Sequence, residues 1–506
     1  MFIAIGQLHF PAGSRWFFDQ MNAWIQSRMV GTLRQPELIY MGLGKAIMPG
    51  KDVYSLDAKL TDQLTPRSAQ ELDIVGVGFG PTNLALAIAI EEYNGTRPVE
   101  DRLSARFIDL KTEFSWHTGM LLPDSTMQIS FLKDLVSLRN PTSCYSFVNY
   151  LHERGRLSDF INLKTFFPSR REFHDYLEWA ATRVSVPVSY GVSAQKIEWQ
   201  NGRFALETSR DVSEASRSET LFARNVVLGL GYRAALPENI VPSKRVFHNQ
   251  HLVSNLEAVR NRENKRFLVV GAGQSAAEVV AYLHERFSDS DVHASLRRFG
   301  YSPSDDTPFV NRIFDPQSVD EFYTAPAELK ERLLHYHWPT NYSAVDADLI
   351  NDLYRLEYDE TVSGKRRLHI HRTTVVENIS DHVDGVSATI SDIGGRHKSE
   401  LTFDAIIFAT GFTPFDLRDL LGASIDIGSG FKRDLPVVNR DYSIDLPNIS
   451  GRIYLNGGVQ HSHGLTSNLL SNVAIRSSEI LEAIIADAHH EAYEQSHAKR
   501  ITVGAI

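Results

Sequence analysis

The sequence predicts an α/β protein in which two similar units of strand, glycine turn, helix and strand each begin a parallel sheet. The first turn reads IVGVGFGP at residues 74–81, and the second reads VVGAGQSA at residues 269–276. An apolar strand that enters a Gly-x-Gly turn and continues into a helix is typical of a Rossmann-like domain. The expected fold is therefore two Rossmann-like dinucleotide-binding domains with a small, mostly helical substrate-binding region.

The elements of the first unit follow one another in the order that this fold requires. Ile74 and Val75 end a buried strand, and the apolar residues 84–90 lie in the helix that follows. Residues 105–109 form the second strand. The alternative, a plain turn at the glycines, is disfavoured because strand, helix and a closing acid are all present.

The glycines of the first turn suit a bound pyrophosphate, which lies on backbone N–H groups at a helix N-terminus. Gly76 permits the tight turn, and Gly78 leaves room for the phosphate. Pro81 replaces the third glycine of the usual pattern, which the first turn of a helix tolerates, and Gly80 relieves the crowding there. Asp109 ends the second strand, where an acid accepts hydrogen bonds from ribose hydroxyls. Because flavin and nicotinamide are the usual pair in such chains, this site is expected to bind FAD.

The second unit leads through a helix at residues 276–287 to a strand at residues 292–296. Gly271 and Gly273 form its turn, but Arg297 follows the strand where an NAD site would carry an acid. An arginine pairs bidentately with a 2′-phosphate, so NADPH is favoured over NADH. Surface arginines that bind only water are the alternative.

Ser275 adds a hydroxyl near the phosphates of the second site. A third buried strand is expected at residues 402–411, where an apolar run ends at a glycine. The predicted division of the chain is an N-terminal extension of unknown role at 1–70, an FAD-binding domain at 71–245 and 405–490, an NADPH-binding domain at 246–305 and 346–404, a substrate-binding insertion at 306–345 and a C-terminal tail at 491–506.

Composition narrows the class of protein. With 42% apolar and 23% charged residues the chain is an ordinary globular protein of more than one domain. A net charge of −10 argues against nucleic-acid binding. No apolar run is long enough for a transmembrane helix, and the N-terminus lacks the basic residues of a signal peptide. A single cysteine, Cys144, excludes a disulfide framework, fits a reducing cytoplasm and is expected to be buried.

Several segments resemble one family, the flavin-dependent N-hydroxylating monooxygenases of siderophore biosynthesis, and most closely the L-ornithine N5-monooxygenases. The resemblance covers roughly residues 70–480 in family order, and its most specific block reads MQISFLKD at 127–134. The other segments are FSWHTGML at 114–121, DDTPFVN at 305–311, TNYS at 340–343, FATGF at 408–412, HGL at 463–465 and LLS at 469–471. Two features depart from the family, namely the N-terminal extension and Phe412, where Tyr is frequent.

The resemblance implies a reaction and its cofactors. NADPH reduces FAD, O2 adds to the reduced flavin as a C4a-hydroperoxide, and the side-chain amine of L-ornithine attacks the distal oxygen to give N5-hydroxy-L-ornithine. The product serves a hydroxamate siderophore or a related natural product. The flavin supplies the difficult chemistry, so the protein positions and protects the reactants. A homo-oligomer, by resemblance a tetramer, is also implied.

The resemblance assigns roles to residues of this chain. Lys133 pairs with the substrate α-carboxylate, Asn341 also binds the amino-acid head, and Asn311 bridges the substrate and the nicotinamide cofactor. Ser471 lies near the reacting end, and Gln128 lies against the flavin. The cofactor-binding set as a whole comprises Gly76, Gly78, Gly80, Pro81, Asp109, Trp116, His117, Met127, Gln128, Gly271, Gly273, Gln274, Ser275, Arg297, Thr410, Gly411, His463 and Leu465. No metal is expected.

Other functions compete with this interpretation. L-Lysine N6-hydroxylation is the nearest, since one methylene is worth only ~1–3 kcal/mol in a pocket. A flavin disulfide reductase is disfavoured by the single cysteine, and a Baeyer–Villiger oxygenase would carry a Phe-x-Gly-x-x-x-His signature that is absent between the two turns. A cofactor-binding scaffold without activity is disfavoured because every cofactor position is filled.

Overall fold

The computed structural model describes residues 71–212, 215–257, 265–432 and 435–503. The N-terminal extension at 1–70, whose role the sequence leaves open, lies outside the described residues. Within them the strands are β1 Leu72–Val77, β2 Ala105–Asp109, β3 Val188–Tyr190, β4 Ser193–Gln200, β5 Arg203–Val212, β6 Ala215–Leu228, β7 Tyr232–Ala234, β8 Val246–His248, β9 Arg266–Val270, β10 Asp291–Leu296, β11 Leu368–Arg372, β12 Thr374–His382, β13 Gly385–Asp392, β14 Lys398–Phe403, β15 Ala405–Phe408, β16 Phe412–Pro414, β17 Phe431–Lys432, β18 Leu435–Pro436 and β19 Arg452–Leu455.

Helices alternate with these strands through both predicted units. They are α1 Pro81–Gly95, α2 Phe147–Glu153, α3 Leu157–Leu163, α4 Arg170–Arg183, α5 Leu252–Leu256, α6 Gln274–Arg286, α7 Pro316–Thr324, α8 Ala327–Asn341, α9 Ala347–Ser363, α10 Gln460–His463 and α11 Val473–Val503. The predicted strand–helix–strand order is confirmed in both units, as β1-α1-β2 and β9-α6-β10.

The first sheet is mixed and has the strand order β3-β2-β1-β6-β5-β4, with β19 paired to the part of β6 nearest its end. β1 pairs in parallel with β2 and β6, whereas β4, β5 and β6 form an antiparallel meander. The helix α1 crosses over between β1 and β2, and its residues from Leu84 to Ile90 are buried. Since β19 comes after residue 450, the chain returns to this sheet near its C-terminus.

The second sheet is parallel throughout, with the order β11-β10-β9-β15-β8. Its strand β15 begins at residue 405, the position where the sequence predicted a return to the FAD-binding domain. That predicted boundary is therefore too early. A separate antiparallel sheet, β12-β13-β14, lies in the chain between β11 and β15 of the second sheet.

The single strand predicted at residues 402–411 is wrong, because it is two strands. β14 ends at Phe403 in the antiparallel sheet, and β15 starts at Ala405 in the parallel one. Asp404 separates them: its N–H donates to the Arg266 carbonyl at 2.8 Å, and its carboxylate accepts from the Arg266 N–H at 2.9 Å.

The region predicted as a helical insertion at residues 306–345 is helical. A short 3-10 helix, Val310–Phe314, is followed by α7 and α8. α8 contains Pro339 two residues before its end at Asn341 and contributes no buried residue. Fold class is thereby confirmed: two Rossmann-like α/β domains and a small helical region.

Candidate cofactor and substrate site

The first glycine turn has a backbone that only glycine adopts easily. Gly78 has φ +81°, and a Cβ added there would lie 2.3 Å from the Gly229 carbonyl oxygen. Gly80 precedes α1 as its N-cap, and no side chain caps this helix. The N-terminus of α1 thus presents backbone N–H groups to an anion.

Asp109 ties the second strand of this unit to the glycine turn. Its buried carboxylate accepts from the Phe79 N–H at 2.6 Å and from the Lys111 N–H at 2.8 Å. Each carboxylate oxygen accepts one of these two hydrogen bonds, so each oxygen keeps a lone pair for a further donor. The carboxylate is held at the carboxyl end of β2, where Rossmann-like sheets bind their ligands.

A buried polar network lies beneath the first turn and was not foreseen from the sequence. The Asn83 amide donates to the Gly78 carbonyl at 2.7 Å and accepts from the Asn456 amide at 3.0 Å. Arg476, only 2% exposed, donates to Asn456 at 3.0 Å and to the Ser467 carbonyl at 2.8 Å. Burial lowers the Arg476 pKa. The first glycine turn is therefore held by side chains from three elements, namely α1, the loop after β19 and α11.

An aromatic cluster surrounds His117, which has φ 50°. Its ring packs edge-on against Trp116 at 4.7 Å and against Phe412 at 6.5 Å, and Phe412 also contacts His248 at 4.8 Å. The His117 side chain is exposed, yet the surrounding protein lowers its pKa to about 4 by desolvation and by the charges of Arg170 and Lys111. The imidazole is therefore neutral near pH 7, which fits packing better than proton transfer.

The second glycine turn repeats the geometry of the first. Gly271 has φ +151°, and a Cβ there would lie 2.4 Å from the Ala409 carbonyl oxygen. Gly273 is the N-cap of α6, again without a side-chain cap, and half-buried Ser275 lies in the first turn. A second anion-binding helix N-terminus results.

The two arginines after β10 differ in their contacts. Arg298 donates to the Ser343 carbonyl at 3.1 Å. Arg297 is exposed, and its guanidinium has no partner among the described residues. Arg297 is the arginine that remains free to pair with a phosphate.

Asp346 bridges the two halves of the site, and no sequence motif pointed to it. Its carboxylate accepts from the Gln128 amide at 3.2 Å and from the Gln274 amide at 2.8 Å, and its own N–H donates to Gln274 at 2.8 Å. Gln128 follows Met127 on the segment that is predicted to contact the flavin, and Gln274 begins α6. The two predicted cofactor glutamines therefore meet on one carboxylate.

A second bridge lies beside the first. Arg170 forms a bidentate ion pair with Glu278 at 2.9 and 2.8 Å and donates to the Met120 carbonyl at 3.1 Å. Glu278 also accepts from Gln274 at 3.1 Å. Both side chains of the pair are largely buried, so solvent screens the pair little.

Three of the four predicted substrate residues lie on segments that contact one another. The Asn472 amide, next to buried Ser471, donates to the Phe314 carbonyl at 3.1 Å, which ties this loop to the 3-10 helix of Asn311. Tyr342, next to Asn341, donates to Gln460 at 2.6 Å and accepts from Asn468 at 3.1 Å. The Asn311 amide donates to the Asp306 carbonyl at 2.6 Å.

Lys133 lies on a separate turn. Its N–H donates to the Ser130 carbonyl at 2.8 Å, and its half-buried ammonium has no ion-pair partner among the described residues. The neighbouring Asp134 is fully engaged, because its carboxylate accepts from the N–H groups of Val136, Ser137 and Phe147. The Lys133 ammonium is thus available to bind an anion, on a turn that the Asp134 hydrogen bonds hold in place.

The last predicted cofactor residues follow β15 and β19. Thr410 donates to the Ala235 carbonyl, and Gly411, with φ +84°, accepts from Ala235 N–H at 3.0 Å. His463 is buried with both ring nitrogens bonded, to the Ser462 hydroxyl and the Arg440 carbonyl. Leu465 is also buried.

The expectation that Cys144 is buried is wrong, because this residue is exposed. The residues on either side of it, Ser143 and Tyr145, are buried, and their side chains face the protein while the thiol does not.

Two Rossmann-like domains with uncapped glycine turns, joined by Asp346, define a flavin- and nicotinamide-dependent oxidoreductase as the class of protein. Comparison with known proteins makes this specific. The family described as L-lysine 6-monooxygenase/L-ornithine 5-monooxygenase matches residues 70–414. The L-ornithine N(5)-monooxygenases of Pseudomonas aeruginosa and Burkholderia cepacia are 37% and 38% identical, over 81% and 78% of this chain and 92% and 89% of theirs.

A solved ornithine N-hydroxylase from Kutzneria sp. 744, with reduced FAD, NADP+ and L-ornithine, is 41% identical, with a TM-score of 0.76 over 82% of this chain and 99% of that one. The L-lysine 6-monooxygenase of Pseudomonas syringae is 28% identical, with a TM-score of 0.68 over 82% and 99%. The chain belongs to the L-lysine 6-monooxygenase/L-ornithine 5-monooxygenase family. Among the described residues, no helix has the length and apolar character needed to cross a membrane.

Proposed function

We propose that this protein hydroxylates the side-chain amine of L-ornithine at N5, with FAD and NADPH as cofactors and O2 as co-substrate. The observation that carries the proposal is the pair of uncapped glycine turns, together with Asp346, which joins Gln128 to Gln274 at the start of α6. The choice of ornithine rests on the relatives, since the ornithine-containing structure is 41% identical and the lysine enzyme 28%.

The chain fits two dinucleotides. Each turn holds a glycine with positive φ whose added Cβ would meet a backbone oxygen, and each following helix lacks a side-chain cap. FAD, once reduced by NADPH, supplies the oxygen-activating chemistry. The flavin would be held by Gly76, Gly78, Gly80, Pro81, Asp109, Trp116, His117, Met127, Gln128, Thr410, Gly411, His463 and Leu465, and NADPH by Gly271, Gly273, Gln274, Ser275 and Arg297.

The residues around the substrate bind and orient it. Lys133 is the free cation for the α-carboxylate, Asn341 takes the amino-acid head, Asn311 joins substrate to the nicotinamide cofactor, and Ser471 lies at the reacting end. An alkylamine with a pKa near ~10.4 requires roughly 4–5 kcal/mol to be presented as free base at pH 7. The neutral side chains of Asn311 and Ser471 support this, because a carboxylate beside the amine would favour its protonated form.

The test is product formation with each amino acid. The purified protein, loaded with FAD and supplied with NADPH and O2, is given L-ornithine or L-lysine, and the hydroxylamine is measured alongside NADPH consumption. We expect hydroxylamine from ornithine at a kcat/KM at least about tenfold above that for lysine, the value of one methylene. Product from lysine alone identifies the alternative, an L-lysine N6-monooxygenase, and NADPH oxidation without hydroxylamine rejects both.

Lys133→Ala tests the substrate assignment. Loss of a charge-assisted contact of about 1.5–3 kcal/mol lowers kcat/KM for ornithine by about 10- to 150-fold, mainly through KM. Exposed Lys365→Ala is the matched control and leaves the rate unchanged. If Lys133→Ala keeps the wild-type KM, Lys133 does not bind the α-carboxylate.

We infer a cytoplasmic homo-oligomer, by resemblance a tetramer, which makes a precursor of hydroxamate siderophores or related products. A lone cysteine supports a reducing compartment. The helix α9 supports association, because Tyr354, Tyr358 and Val362, spaced four residues apart, are 69%, 62% and 71% exposed. Light scattering of the full chain and of Tyr358→Lys tests this: the variant should have the smaller mass, and equal masses reject this face as the interface.

A further inference from the structure

A cluster of histidines lies on one face of the second sheet. His293 in β10 is directly opposite His369 in β11 in the parallel register, and Asp291 begins β10 two residues earlier on the same face. These positions belong to the first half of each strand. The cofactor turns lie at the carboxyl ends of the strands, so the cluster is separate from the proposed active site.

The three side chains are close enough to share an ion. One potential ligand atom from each of Asp291, His293 and His369 lies within 4.8 Å of the others. Bonds of about 2.0–2.1 Å in a tetrahedral zinc site place ligand atoms roughly 3.3 Å apart, so a small contraction is sufficient. The rings of His293 and His369 are stacked at 4.4 Å and 18°, and His369, the less buried of the two, must tilt toward the ion.

His371 gives the cluster the partner that a histidine ligand normally has. Its Nε2 lies 2.8 Å from His293 Nδ1. When the Nδ1–H of His293 donates to His371, the lone pair on Nε2 of His293 is left for a metal. Most histidine ligands are oriented by such a hydrogen bond from their other ring nitrogen.

We propose that Asp291, His293 and His369 form a binding site for one divalent transition-metal ion, with Zn²⁺ as the best match and water as the fourth ligand. Two imidazoles and one carboxylate are a donor set that zinc accepts. Arg266 competes only weakly for Asp291, since their contact is 3.7 Å. A bound ion joins β10 to β11 and leaves one position open, and the assignment is independent of the proposed hydroxylase activity.

Isothermal titration of ZnCl2 into the full chain tests the site, with FAD bound and no polyhistidine tag. We expect one equivalent bound per chain with a Kd below about 10 µM, and visible ligand-field bands when Co²⁺ replaces Zn²⁺. His369→Ala and Asp291→Asn should each weaken binding by more than about 100-fold, and His371→Ala by about 10- to 100-fold. Flavin absorbance and the thermal midpoint without metal show that the variants are folded.

His174→Ala is the matched control. His174 belongs to a second possible group, with Asp175 and Glu178 on α4, and its loss should leave the one high-affinity equivalent intact. If His174→Ala abolishes zinc binding and His369→Ala does not, the metal binds on α4 and the proposal is overturned. Absence of binding to the wild-type chain at 100 µM Zn²⁺ would overturn it as well.

Discussion

Asp346 is the residue on which the two cofactor-binding segments depend. Its carboxylate accepts from Gln128 and Gln274, and although it precedes α9 as the N-cap, its side chain makes no capping bond. Desolvation, with the charges of Glu278 and Asp306, raises its pKa, while the two glutamine donors act against that rise. The Asp346 carboxylate therefore binds the two glutamine amides and does not cap the N-terminus of α9.

Replacing Asp346 should loosen the coupling of the two cofactors without unfolding the protein. In Asp346→Ala the Gln128 amide loses its acceptor and the Gln274 amide keeps only its bond to Glu278, at about 1 kcal/mol for each bond lost. We expect hydroxylamine formed per NADPH oxidised to fall several-fold while KM for ornithine stays within twofold. Asp346→Asn keeps one carbonyl oxygen and should recover part of the yield, which a purely steric effect of the alanine would not allow.

Asp348→Ala serves as the control for Asp346, since it removes an exposed carboxylate from the same helix two residues later. Its product yield should equal that of the wild type. An Asp346→Ala enzyme with unchanged yield would show that the bridge does not position the cofactors.

Single residues were predictable where a local pattern carries the chemistry. Asp109 ends a strand and Arg297 follows one, each at a position with a known role, so sequence alone suggested them. Asp346 carried no such signal, because its contact with Gln128 joins positions 218 residues apart. The burial of Arg476 was not predicted either, since an arginine in a helix usually faces water.

At the scale of elements, periodic apolar runs predicted the strands and helices of both units well. The error at residues 402–411 arose because a continuous apolar run does not reveal a change of sheet. Only the paired hydrogen bonds of Asp404 with Arg266 mark the break. The antiparallel meander of β4, β5 and β6 was also absent from the prediction, since its strands carry no cofactor motif.

The turn between β1 and α1 is the element least able to accept substitution. Gly78→Ala places a residue at φ +81°, at a cost of about 1–2 kcal/mol, and brings its Cβ to 2.3 Å from a backbone oxygen of Gly229. The turn must therefore move away from Gly229, and its N–H groups leave the positions in which they would bind the phosphate. We expect purified Gly78→Ala to contain less than about a tenth of the wild-type flavin, measured as the ratio of flavin to protein absorbance, and to unfold at lower temperature.

Gly95→Ala is the control for this element. Gly95 ends α1, and a Cβ there meets no atom within 4 Å. Its flavin content should be unchanged, and its stability equal or slightly higher because alanine favours the helix. Full flavin content in Gly78→Ala would show that the turn tolerates a side chain and that its geometry does not select glycine.

On the scale of the whole molecule, buried neutral histidines make the stability of the fold depend on pH. His248 and His463 are each 1% exposed. Burial lowers the pKa of His248 to about 4 and that of His463 to about 3, although their bonds to the Gly411 and Arg440 carbonyls act in the opposite direction. The His248 ring bonds to the carbonyl of Gly411, in the proposed flavin site, and the His463 ring bonds to that of Arg440. Protonating either ring would therefore require disrupting the buried structure around it.

These shifts predict that the protein loses stability as the pH falls below about 6.5. The unfolded chain binds protons at its histidines near that value, whereas the folded chain does not until about pH 3–4, so the unfolded state gains protons first. Each such histidine contributes up to about 1.4 kcal/mol per pH unit. Urea unfolding at fixed ionic strength should show that the free energy of unfolding falls between about pH 6.5 and about pH 5.5. His248→Gln should flatten this slope and exposed His397→Gln should not; equal slopes in all three proteins would refute the assignment to buried histidine.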